Sequence, residues 1–86
     1  MQYKNLEELI EVVRVLRSEN GCPWDREQTH TSLRPNMIEE AYEAVDAIDE
    51  KDPAHLREEL GDVLLQVLLH SQIATEHNEF TLEDVA

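Results

Sequence analysis

The sequence predicts an all-α protein, an antiparallel bundle of about four helices whose core is completed by dimerisation. Apolar residues recur every three to four positions, and the alternating pattern of strands is missing. Only two glycines and three prolines interrupt the 86 residues. Because a chain of this length has a thin core, we expect a second copy to contribute to it.

The first predicted helix covers about residues 5–18 and carries one apolar stripe. The stripe consists of Leu6, Leu9, Ile10, Val13 and Leu16. Residues 19–31 are predicted to form a loop, since they include Gly21 and Pro23. Within this loop, Asp25 and Gln28 are expected to cap a short turn.

The second predicted helix covers about residues 33–50. Ser32 is expected to be its N-cap, and Pro35 is tolerated in its first turn. Its apolar stripe consists of Met37, Ala41, Ala44, Val45 and Ile48. The segment KDP then breaks the chain and introduces the next helix.

The third predicted helix runs from about residue 53 to 76, with Asp52 as N-cap and Pro53 at its first position. Its apolar stripe consists of Leu56, Leu60, Val63, Leu64 and Val67. After Val63 other faces become apolar too, which indicates burial on several sides. We expect the additional side to meet a second subunit.

A fourth helix is predicted to begin after Thr81, which forms a capping box with Asp84. The sequence ends just after this helix begins. We therefore expect a single domain over residues 1–86 that is truncated at its C-terminus.

The composition limits the classes of partner. Seven basic and twenty acidic residues give a net charge of −13, which argues against direct binding to nucleic acid or anionic lipid. A divalent cation held by carboxylates would still allow a phosphate-bearing substrate. The single cysteine, the missing signal-peptide pattern and the lack of a long apolar run predict a cytoplasmic protein that does not cross a membrane.

Two acidic phrases, IEEAYEAV and REELGDVL, repeat with an offset of 19 residues. The offset relates Glu39, Glu40 and Glu43 to Glu58, Glu59 and Asp62. At about 100° per residue, Glu40 and Glu59 lie roughly 80° from the centres of their apolar stripes, and Glu43 and Asp62 follow one turn later. A short connection makes the two helices antiparallel neighbours, so the four carboxylates can converge.

Like charges at this spacing repel unless a cation neutralises them. Ligands that are all oxygen suit Mg²⁺ or Mn²⁺. The sequence does not favour a di-iron site, because its one Glu-x-x-His spacing, Glu27 to His30, falls in the loop. Zinc is disfavoured because Cys and His are too few at ligand spacing. The alternative is a solvated acidic face without an ion.

The segments EEAYE and EELGD resemble the E-E-x-x-E…E-x-x-D signature of MazG-type nucleoside triphosphate pyrophosphohydrolases. The preceding GCPWDREQTHTSL resembles the loop of the same family, and the resemblance covers about residues 4–77. It implies a dimeric helical bundle that binds Mg²⁺ and hydrolyses nucleoside triphosphates to monophosphate and pyrophosphate. Such an activity removes unwanted nucleotides (house-cleaning) or controls the nucleotide pool. The resemblance also implies that the chain assembles with a second copy, as a homodimer or a higher even-numbered oligomer.

The resemblance implies roles for particular residues. The metal ligands of the family fall on Glu40, Glu43, Glu59 and Asp62, the four residues found from helical angle. Its nucleotide contacts one turn earlier fall on Asn36 and His55, for which an ordinary helix-start Asn and an exposed His are the alternatives.

Two further residues are candidates for the same chemistry. Glu39 adjoins the ligands and is a candidate general base or holder of a second ion. Trp24 either stacks on the nucleobase or anchors its loop to the core. His70, close to the apolar stripe of the third helix, is expected to be a packed interface residue.

Two other functions stay open on the sequence. One is a non-catalytic helical dimerisation module, in which the carboxylates serve solubility or loose ion binding. The other is a related pyrophosphatase that acts on dUTP, dCTP or phosphoribosyl-ATP. The GCPWD loop favours the MazG type, but the sequence does not show the base preference.

Overall fold

The structure, a computed structural model, describes residues 3–86 and is all-helical over that range. The prediction of an all-α fold is therefore confirmed, whereas dimerisation stays a prediction. The helices are α1 (Lys4–Leu16), α2 (Pro23–Glu27), α3 (Arg34–Asp49), α4 (Pro53–Glu76) and α5 (Leu82–Val85). Short helix α2 lies within the segment that was predicted to be a loop.

The long helix α4 is the centre of the fold, and α1, α3 and α5 all pack against it. Its Leu69 and Ile73 are buried in one core with Val13 of α1 and Leu33. The additional apolar faces of α4 were expected to meet a second subunit. That prediction is wrong for its C-terminal half, because α1 and the segment before α3 cover those faces within the chain.

The apolar stripe of α3 is mostly exposed in the single chain. Ala44 and Ala47 face α4 and are buried, but Val45 and Ile48 of the stripe are about half exposed. Nothing in residues 3–86 covers Val45 and Ile48, so this part of the stripe lies outside the core of the single chain. An apolar face remains, formed by Ile38, Tyr42, Val45, Ile48, Leu60 and Leu64.

Two predicted helix starts are confirmed. The Asp52 carboxylate accepts a hydrogen bond from the backbone N–H of His55 at 3.2 Å, and Pro53 begins α4. Thr81 and Asp84 form the predicted capping box. These caps satisfy backbone N–H groups that have no partner within the helix.

Two predicted caps are wrong. Leu33, not Ser32, is the N-cap of α3, and it makes no side-chain cap. Ser32 instead forms a turn with Thr29, in which each backbone N–H donates to the other residue's hydroxyl at 2.8 and 3.0 Å. Asp25 lies inside α2 and does not cap it. Ser and Thr hydroxyls compete with helix capping by bonding to nearby backbone groups.

A part-buried ion pair joins the C-terminal ends of α1 and α4. The Arg17 guanidinium donates to both carboxylate oxygens of Glu76, at 2.9 and 3.0 Å. It also donates to the backbone carbonyls of Asp25 and Gln28. The Arg17 side chain is only 4% exposed, so this contact fixes α2 and the following loop against the bundle.

The length and polarity of the described helices bear on membrane insertion. Over residues 3–86, none of them is both long enough and apolar enough to cross a bilayer. Even α4, with 24 residues, carries charged side chains through its first half.

Candidate metal centre

Helices α3 and α4 bring four carboxylates together at their contact. One oxygen from each of Glu40, Glu43, Glu59 and Asp62 lies within 4.8 Å of the corresponding oxygens of the others. Three of these residues are half-buried, and Asp62 is exposed. The structure therefore assembles the four side chains that the repeated phrase predicted to converge.

The local packing of α3 explains why the carboxylates meet. Ala44 and Ala47, on the side of α3 that faces α4, are at most 8% exposed. Small side chains allow two helices to approach closely. The carboxylates were expected on the flank of a core stripe, but Glu40 and Glu59 lie within the contact itself, while the apolar stripe of α3 points outward.

Two oxygens of this cluster are buried without a partner. Glu40 Oε2 and Glu59 Oε2 are inaccessible to solvent and accept no hydrogen bond. In residues 3–86, one other buried side-chain oxygen or nitrogen shares this property, Oε1 of Gln66 on α4. Buried acceptors without partners are costly. A cation would satisfy them, so the donor set fits an oxygen-preferring divalent ion.

Crowding of negative charge raises two pKa values in the absence of a cation. The pKa of Glu40 is raised by burial first, and then by the charges of Asp62, Glu43 and Glu39. The pKa of Glu43 is raised first by a carboxyl-to-carboxyl hydrogen bond with Glu59, which requires a proton, and then by the charge of Glu59. Burial and neighbouring negative charge both disfavour the ionised form of these two carboxyl groups.

His55 connects this cluster to the turn between α3 and α4. Its Nδ1 lies 2.9 Å from a Glu50 carboxylate oxygen, and its Nε2 lies 3.2 Å from Oε1 of Glu59. These contacts raise the pKa of His55, the hydrogen bond to Glu50 most of all. The residue predicted to contact a nucleotide therefore also orients one of the predicted ligands.

The other predicted site residues make no hydrogen bond to the four carboxylates. Asn36 is half-buried on α3, one turn before Glu40, while Glu39 is exposed and acts on the cluster through its charge. Trp24 is 55% exposed on α2. Within the described part of the chain, α2 packs against α1 and against no other helix, so Trp24 is not brought to the carboxylates.

A pair of histidines forms a contact that no sequence pattern indicates. His30 and His70 stack with their ring centroids 5.1 Å apart, and their Nδ1 atoms are separated by 2.8 Å. His30 Nε2 contacts Glu79 at 3.0 Å. His70 was predicted to be an interface residue, but its partner is in the same chain. Forty residues separate the two histidines, and no periodic pattern relates them.

Comparison with known proteins identifies relatives of the chain. The family described as "MazG nucleotide pyrophosphohydrolase domain" matches residues 28–86. The chain is 60% identical over 79 residues to a Thermotoga maritima protein named nucleoside triphosphate pyrophosphohydrolase/pyrophosphatase MazG, with 92% of the chain and 31% of that protein covered. It is 44% identical over 81 residues to the Escherichia coli K12 nucleoside triphosphate pyrophosphohydrolase, with 93% and 31% covered.

A third relative is the Bacillus subtilis protein YabN, whose name gives no activity. It is 61% identical over 74 residues, covering 86% of the chain and 15% of YabN. The chain therefore spans about a third or less of the length of these three relatives.

Proposed function

The chain belongs to the family of MazG nucleotide pyrophosphohydrolase domains, and from this premise we propose that it hydrolyses nucleoside triphosphates to monophosphate and pyrophosphate with Mg²⁺. The observation that carries the proposal is the convergence of four carboxylates with two buried, unpartnered oxygens. We further propose that residues 1–86 form a single domain of this kind, which supplies the catalytic cluster.

Glu40, Glu43, Glu59 and Asp62 would hold the cation. Carboxylate oxygens are the ligands that Mg²⁺ and Mn²⁺ prefer. When bound, the cation neutralises the charge of the triphosphate and stabilises the negative charge that develops on the departing pyrophosphate. This explains how a chain with net charge −13 can bind an anionic substrate.

The remaining candidates act on the substrate and on a water molecule. Asn36 and His55 each precede a proposed ligand, Glu40 or Glu59, by one turn on the same side of its helix, and they would contact the nucleotide. Glu39 is exposed beside the cluster and would take the proton of the attacking water. Trp24 would reach the base only after movement of α2 or from a second copy, because α2 packs against α1.

A second copy would cover the apolar face of α3 and α4. Six large apolar side chains are exposed there, from 38% for Leu64 to 68% for Tyr42. Contiguous exposed apolar side chains commonly mark an interface between proteins. This face supports a homodimer or a higher even-numbered assembly. The proposed substrate and the free Cys22 support a cytoplasmic location.

The same apolar face favours a second candidate, a non-catalytic dimerisation module. In that case the chain would dimerise and bind no nucleotide in the presence of Mg²⁺. A panel that includes dUTP, dCTP and phosphoribosyl-ATP separates the related pyrophosphatases from a general triphosphate hydrolase.

The test is release of pyrophosphate and monophosphate from that panel, with Mg²⁺ and with EDTA. We expect metal-dependent release by the native chain and at least a hundredfold loss in Glu59→Gln, because an amide is a poorer cation ligand than a carboxylate. The matched control is Glu58→Gln, which changes an exposed neighbour and should stay close to native. Full activity in Glu59→Gln would contradict the proposal.

A further inference from the structure

We propose that Gln66 supplies a fifth oxygen to the candidate metal centre, by accepting a hydrogen bond from the hydration shell of the cation. The inference rests on the proposed function, because it presumes that the four carboxylates hold an ion. The role of Gln66 would be to position that shell.

The environment of Gln66 requires an explanation. The residue is only 6% exposed, and its Oε1 atom is buried without a hydrogen-bond donor. In the part of the chain that the structure describes, the other two such oxygens belong to Glu40 and Glu59 of the candidate centre. A buried amide oxygen without a donor costs free energy, so such a group usually has a role or a missing partner.

The helical geometry places Gln66 beside the cluster. It follows Asp62 by four residues and Glu59 by seven, which at about 100° per residue puts it roughly 20° from Glu59 around the axis of α4. Gln66 therefore lies on the side of α4 that faces α3. The line of oxygen-bearing side chains on that side continues one turn beyond Asp62.

The spacing favours a contact through water. One helical turn advances about 5.4 Å along the axis. Because Gln66 lies one turn beyond Asp62, we expect its oxygen to act on the cation through a bound water and not as a direct ligand. Mg²⁺ usually keeps several waters when proteins bind it, so its shell has hydrogens to donate in this direction.

The chemistry of an amide suits this position better than that of a carboxylate. Four carboxylates already converge in the cluster, each with an oxygen within 4.8 Å of the others. A fifth carboxylate would add more repulsion, whereas an amide oxygen accepts a hydrogen bond without adding charge.

The test measures the affinity of the folded chain for Mn²⁺ alone, by electron paramagnetic resonance or calorimetry, without nucleotide. Gln66→Met keeps the length of the side chain and removes the oxygen. We expect its Kd for Mn²⁺ to rise about tenfold, the lower end of the usual effect of an outer-shell partner. In EDTA its Tm should equal or exceed that of the native chain, because an unpartnered polar group has been removed.

Two further variants complete the design. Gln72→Met makes the same change at a half-buried glutamine about 120° around α4 from Gln66, beside Leu68 and Thr75, and should bind Mn²⁺ like the native chain. Gln66→Glu restores an oxygen at the position, and its Kd should stay at or below the native value.

Native affinity in Gln66→Met, or an equal loss in Gln72→Met, would overturn the role of Gln66 while leaving the proposed function standing. Failure of the native chain itself to bind Mn²⁺ would overturn both. Glu59→Gln is included in the same Mn²⁺ titrations. Its loss of binding would show that the measured Kd belongs to the site formed by the carboxylates.

Discussion

Three polar side chains in the last two turns of α4 have partners. Glu76 binds Arg17, His70 stacks on His30, and the Ser71 hydroxyl donates to the Val67 carbonyl at 2.8 Å. In the N-terminal half, Glu59 has an oxygen without a donor, and large apolar residues such as Leu60 are half exposed. Polar side chains near the C-terminal end of α4 are therefore paired, whereas its N-terminal half has a carboxylate oxygen without a donor and exposed apolar side chains.

The difference follows from what covers each half. Helices α1 and α5 and the buried Leu33 surround the C-terminal half, which holds the core of the fold. The N-terminal half has α3 as its neighbour and shares crowded carboxylates with it. Local violations of good packing and pairing in natural proteins concentrate at functional sites. We therefore expect changes in the two halves to move stability in opposite directions.

The largest effect is expected at the part-buried ion pair of the C-terminal half. Arg17→Met removes a guanidinium that is 4% exposed and leaves Glu76 and two backbone carbonyls without their donor. Because the change removes a part-buried ion pair and leaves two backbone carbonyls without their charged donor, we expect a loss of about 2 kcal/mol in the free energy of unfolding. Urea denaturation measures it.

The control for this change is Arg14→Met. Arg14 forms an exposed pair with Glu11 on the same helix, and such surface pairs contribute little to stability. Equal losses in the two variants would show that the part-buried pair is not what fixes the C-terminal half.

A smaller gain is expected at Gly61 in the N-terminal half. A Cβ built on this helical glycine meets no atom within 4 Å, so nothing in the described chain requires its absence. Gly61→Ala should raise the free energy of unfolding by about 1 kcal/mol, since alanine has the higher helix propensity. Thermal unfolding in EDTA measures the change, and a lower Tm than native would refute the expectation.

The smallest effects are expected from the pH dependence of stability. Groups at the two halves of α4 should change the free energy of unfolding in opposite directions as pH falls. Burial, and then the charge of His30, lower the pKa of His70 below its usual 6.5. Between that lowered pKa and 6.5, the unfolded state binds more protons, so stability is lost as pH falls through this window. Glu79 contacts His30 on its other side, and Arg34 adjoins His70.

Glu40 and Glu43 have pKa values raised above 4.5. Between 4.5 and the raised values, the folded state binds more protons, so stability without metal increases as pH falls. His70→Gln should remove the loss, and Glu40→Gln with Glu43→Gln should remove the gain. Urea denaturation in EDTA at a series of pH values checks both slopes, and unchanged slopes in these variants would assign them to other groups.

Much of this molecule follows from local patterns in the sequence. The start of α4 at Asp52 and Pro53 and the box of Thr81 with Asp84 depend on residues a few positions apart, and both are confirmed. The convergence of the carboxylates also follows from the sequence. The repeated acidic segment sets the position of each carboxylate around its helix, and the short connection between the antiparallel helices brings the two segments to the same height along the bundle.

Other features depend on contacts that are distant in the sequence. Nothing local relates Arg17 to Glu76 or His30 to His70. The orientation of α3 could not be derived either, because its apolar stripe indicates a buried face without showing whether the same chain covers it. The side facing α4 instead holds alanines, whose small size allows close approach.

The most direct test of the account compares the native chain with Glu40→Gln by thermal unfolding, in EDTA and in Mg²⁺. Glu40 has a buried oxygen without a partner and a pKa raised by burial and by neighbouring charges. Without a cation, the variant should be the more stable of the two, because one charge has left the cluster. With Mg²⁺, the native chain should become the more stable, because it binds the ion more tightly. The same order of stability in both conditions would contradict the claim that these carboxylates are arranged for a cation.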